Sequence, residues 1–88
     1  MMVIIKTDGS MEPLVPKGKR VSLQEMQNVV GGLIEMVNLS DKVMILNEEG
    51  KIFGLPLNHK ATVLFQRDHG HGDVIVGDVI LADFGDID

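Results

Sequence analysis

Apolar and polar positions alternate in short blocks along this chain, and most of the apolar blocks have the length of strands. Met2 to Lys6 reads MVIIK, an apolar and β-branched run that predicts a first strand. Asp8-Gly9-Ser10 breaks it, and Pro13 and Pro16 predict an irregular stretch. Helical spacing then appears, with Leu23, Met26, Val29 and Val30 on one face. Ser22 and Glu25 form a capping box at its start, and Gly31-Gly32 supplies the left-handed stop.

Beyond that helix the pattern returns to strands. Leu33 to Leu39 and Val43 to Leu46 predict a hairpin around Ser40-Asp41-Lys42, and Lys51 to Leu55 predicts a third strand of a meander. Asn47-Glu48-Glu49-Gly50 is read as the turn between them, with Asn47 bonding its own backbone. Asn58 caps a shorter helix carrying Ala61, Leu64 and Phe65. Val74 to Val76 and Val79 to Leu81 predict strand bent around Gly77-Asp78, and residues 83–88 an acidic, flexible tail. The expectation is one α+β domain over residues 1–88, with about five short, largely antiparallel strands and both helices on one buried face.

Composition narrows the function classes. The chain has 88 residues, with three Phe, no Trp and no Tyr, so six Met and the aliphatic residues must fill the core. Such a thin core predicts a homo-oligomer, a dimer or tetramer. Without Cys there is no disulfide and no thiolate, which fits a cytoplasmic protein. No apolar run approaches the roughly 20 residues that span a bilayer, so no membrane partner is expected. A net charge of -5 argues against DNA or RNA as partner, because such binding relies on a broad basic face.

Candidate chemistry is sparse. His69 and His71, with Asp68 and Asp73, lie in a glycine-rich loop that reads as solvated rather than as a metal site. Nucleophile elbows, zinc-hydrolase motifs and phosphate loops are missing, so no catalytic residue and no cofactor is assigned. Lys17, Lys19 and Arg20 precede a helix start, where backbone N–H groups favour an anion, although a solvated basic turn is the plainer reading. Asn58, His59, Lys60 and Thr62 form a second polar cluster at a helix start, for which ordinary capping is the plainer reading.

The order of motifs adds a resemblance. VVGGLIE (Val29 to Glu35), LNEEGK (Leu46 to Lys51), GLPLN (Gly54 to Asn58) and IVGDV (Ile75 to Val79) together resemble a family of short domains of unknown function seen in phage and mobile-element proteins. The resemblance covers about residues 20–82 and carries over Gly31, Gly32, Glu35, Asn47, Glu48, Gly50, Pro56, Asn58 and Gly77. Proteins of this kind are similar to phage anti-defence proteins of the anti-CBASS type, sponges that sequester cyclic nucleotide signals without cleaving them. The resemblance thus implies a cyclic dinucleotide or related nucleotide as partner. On the residue reading its phosphates would meet Lys19, Arg20 or Lys60, Glu35, Asn47 or Asn58 would read a base edge, and His59 belongs to the same candidate binding set. The alternative expectation is a module that inhibits or adapts a host protein.

Overall fold

The computed structural model describes residues 1–87. Its elements follow in the order β1 (Val3–Ile5), β2 (Met11–Pro13), α1 (Leu23–Val30), β3 (Ile34–Asn38), β4 (Val43–Asn47), α2 (His59–His69) and β5 (Val79–Ala82), with a 3-10 turn at Phe84–Asp86. The strands make one five-stranded antiparallel sheet in the order β2-β1-β5-β4-β3. This is the α+β class that the pattern predicts. The connectivity is not a meander, because the β1–β2 and β3–β4 hairpins sit at the edges and β5 is inserted between them.

The single buried face is corrected. Val43 and Ile45 pack with Met26 and Val30 of α1, whereas Met44 packs with Ala61 of α2 on the opposite side of β4. Each face of the sheet therefore carries one helix. The central strands explain why: VMIL in β4 and VILA in β5 are apolar at every position, so either face left open would expose half of each strand. Ile5, Met44, Ile45, Val79 and Ile80 are the largest fully buried apolar side chains, and each is worth about 1.5–3 kcal/mol of burial.

Other expectations shift with local bonding. Lys51 to Leu55 is a run of turns, closed by Phe53 N–H to Glu49 C=O (3.0 Å) and Leu55 N–H to Gly50 C=O (3.0 Å), and it leaves Ile52 80% exposed. The second helix is the longer, 11 residues against 8. Val76 makes only an isolated bridge to Leu57. Gly77 (φ +78°) then turns the chain into β5, where a Cβ would come within 2.8 Å of Leu55 Cδ1. The stretch expected to be irregular contains β2, whose Pro13 costs no ladder bond. Lys6 pairs with Ser10 (2.9 Å) and Leu14 with Met2 (3.0 Å), so the alternation places the N–H position of residue 13 on the outer side. Residues 83–87 of the acidic tail lie beside the start of the chain, with the Met1 ammonium 2.9 Å from both Asp83 and Asp86; Asp88 lies outside the described residues.

Candidate functional site

The start of α1 carries its own anion. Ser22 Oγ accepts from Glu25 N–H (3.1 Å), and Glu25 Oε1 accepts from Ser22 N–H (3.2 Å). The second carboxylate oxygen accepts from Lys17 N–H (3.4 Å). These bonds, the Ser22 backbone contact foremost, hold the Glu25 carboxyl below its usual range. Lys19 and Arg20 stand beside this cap and line a groove of about 360 Å3 with Met1, Leu14, Pro16 and Asp86.

At the other helix start, Asn58 is fully buried and fully used. Its Oδ1 accepts from Ala61 N–H (3.1 Å), and its Nδ2 donates to the carbonyls of Ile5 and Gly77 (both 2.9 Å). Asn47 is likewise buried; it donates to Val30 C=O (3.1 Å) and accepts from Glu49 N–H (2.8 Å). Both amides expected to read a ligand make these bonds within the fold. His59 and Lys60 are exposed and rim an apolar groove of about 420 Å3 formed by Ile5, Met11, Val63, Leu64 and Leu81. Since α1 and α2 cover opposite faces, the structure does not bring Lys19 and Arg20 together with His59 and Lys60 within one chain.

Glu35 belongs to a third place. It pairs with Leu46 across the β3–β4 ladder, on the face covered by α2. There it lines a groove of about 300 Å3 with Val37, Phe65, Glu48, Glu49 and Asp73. Lys51 bonds Asp73 at the rim and holds its carboxyl below the usual range. Four carboxylates and one lysine, already paired, therefore give this groove an acidic character.

The groove runs along a free sheet edge. Leu33 C=O accepts from Glu48 N–H (2.8 Å) and Leu39 N–H donates to Lys42 C=O (2.7 Å), which fixes the phase of the ladder. Residues 33, 35, 37 and 39 face β4, so Ile34, Met36 and Asn38 turn their N–H and C=O groups outward. His69 Nε2 donates to Asn38 C=O (2.9 Å) and closes that end. The outward groups of Ile34 and Met36 have no partner among the described residues.

A family model, the domain of unknown function DUF3846, matches residues 1–88. The chain belongs to the DUF3846 family. The match is wider than the motif resemblance over residues 20–82, since it takes in the Asp8 to Arg20 segment and all of β1 and β2. The comparisons with curated proteins and with solved structures gave no match.

In this DUF3846 chain the glycine-rich loop holds its titratable groups in local pairs. His69 stacks on Phe65 with ring centres 4.7 Å apart, and His71 Nδ1 lies 3.0 Å from Gln66 Oε1. Asp68 bonds Arg67 (3.1 Å) and the N–H of Ser40 (3.0 Å). Among the described residues no three His, Cys, Asp or Glu side chains converge as metal ligands, and no helix is long and apolar enough to cross a membrane. Motif reading found Glu35 but missed Ile34 and Met36, because an edge position has no residue signature. It missed Asp73 and Phe65 as groove residues because only the fold brings them to β3.

Proposed function

We propose that this DUF3846 chain is a small non-catalytic binding protein that takes hold of a partner polypeptide, and that in a phage or mobile element it inhibits or adapts a host protein. The open edge of β3 carries this reading. An unpaired strand is a template for one more strand, and backbone bonding supplies affinity without any catalytic group. The other edge is blunted, since β2 ends in Pro13, which has no N–H to offer.

Met36→Pro tests it. The substitution removes an outward donor and leaves the bonds to β4 intact. A tagged chain expressed in its source cells is expected to retain a stoichiometric polypeptide that Met36→Pro loses. Equal retention by the two proteins, or no retained polypeptide, overturns the reading.

A second reading, sequestration of a cyclic dinucleotide by a homo-oligomer in the host cytoplasm, draws on the groove beside Lys19 and Arg20. It predicts a melting shift with such nucleotides, corresponding to about 2.7 kcal/mol at 100 times the dissociation constant, and recovery of the ligand intact. A flat response across a nucleotide panel removes it.

A further inference from the structure

We infer that the β3 edge receives an extended segment with a Lys or Arg opposite Glu35 and apolar residues on either side; this rests on the binding reading above. An added antiparallel strand would form its hydrogen-bonded pairs with Ile34 and Met36, leaving Glu35 and Val37 in the close, non-hydrogen-bonded pairs. Side chains in such pairs have Cβ atoms about 4.5–5.5 Å apart. The residue opposite Glu35 therefore enters the acidic groove, where Glu48, Glu49 and Asp73 add to the field. The residue opposite Val37 lies on the same face, where the methylene stem of a second Lys or Arg packs along the wall that includes Phe65. On the other face, the residue opposite Met36 joins a side chain that is 44% exposed and needs an apolar neighbour.

Charge decides among occupants. A second copy of the chain has net charge -5 and would bring its own Glu35 and neighbouring acids to the same seam. A nucleotide phosphate meets the same repulsion. A basic, β-prone segment meets neither obstacle, and its alternation matches the two faces of the edge.

The experiment titrates the full chain with three synthetic heptapeptides: alternating Lys and Val, alternating Glu and Val, and a Lys/Val peptide with prolines at the bonding positions. Amide NMR shifts are expected for Ile34 to Asn38 with the first peptide only, together with slowed hydrogen exchange at Ile34 and Met36. Glu35→Lys is expected to weaken that binding about tenfold or more, and added salt to weaken it further. Equal binding of the Glu/Val peptide overturns the inference, as do shifts confined to the Lys19–Arg20 groove or a dimer that Met36→Pro dissociates. If the Lys/Val peptide fails while Met36→Pro still abolishes retention of the cellular partner, the basic segment is wrong and the binding reading stands. If both fail, both are wrong.

Discussion

Asn58 ties the start of α2 to β1 through a bond of 2.9 Å from its side-chain amide to the carbonyl of Ile5, 53 residues earlier in the chain. The second amide hydrogen goes to Gly77 just ahead of β5, so one side chain joins a helix cap to two neighbouring strands. Asn58→Ala is expected to lose the cap and both amide donations, although Ile5 stays paired with Val79 in the sheet, a cost of about 2–4 kcal/mol. Asn58→Asp keeps the capping oxygen but sets a carboxylate against both carbonyls, so it is expected to cost at least as much. Urea denaturation measures both, and a loss under about 1 kcal/mol for either contradicts the assigned role.

Thr62, one turn into α2, clamps the segment before Gly77. Its hydroxyl accepts from Ile75 N–H (2.9 Å) and donates to Ile75 C=O (3.2 Å) in a buried setting. Thr62→Val keeps the shape and leaves the Ile75 N–H unpaired, while the Ile75 carbonyl keeps its bond from Asn58 N–H (2.9 Å), for an expected loss of about 1–3 kcal/mol. Thr62→Ser retains the hydroxyl and should recover most of it. Thermal unfolding of the pair separates hydrogen bonding from packing, and equal losses would assign the effect to packing.

Acid sensitivity should be concentrated in two carboxylates. Arg67 first, then the Ser40 N–H, holds Asp68 at about 2 rather than 3.8. Lys42, and after it the Met1 ammonium, holds Asp83 at about 2. A folded-state value below the unfolded one means stability that is present above pH 3.8 and lost as the pH falls towards 2. Melting temperature against pH is expected to fall across that window, less steeply in Asp68→Asn and least in Asp68→Asn/Asp83→Asn. Because both ion pairs lie at the surface, the difference should shrink in high salt. Identical acid limbs in all three proteins would refute the assignment.

These residues also mark how far the chain could be read without coordinates. Ser22-x-x-Glu25 and Gly31 set α1 through bonds that span four residues or fewer, and such local chemistry is visible in one dimension. The turn role of Asn47 and the cap role of Asn58 are visible for the same reason. Their second partners, Val30 and Ile5, are not, because they depend on which strands meet. The same limit explains Lys51 to Leu55. Its apolar pattern suits a strand beside β4, but the sheet gives β4 the neighbours β5 and β3, so β4 has no side left for it. The acidic groove draws Glu35 and Asp73 from segments 38 residues apart, and no spacing rule links them.

The alternation along β3 yields a paired test of the edge itself. Val37 faces β4 opposite Met44, so Val37→Pro removes an inner ladder bond and sets its ring against the hairpin. A loss of about 3 kcal/mol or more is expected. Met36 faces outward, and Met36→Pro puts a proline at an edge position of the kind Pro13 already occupies in β2. Its preceding residue, Glu35, is already extended, as a residue before proline must be. The cost should stay under about 1 kcal/mol. Circular dichroism melts of the two variants read the difference directly. Equal destabilisation would mean that the outward phase assigned to Ile34 and Met36 is wrong, and with it the edge on which partner binding is built.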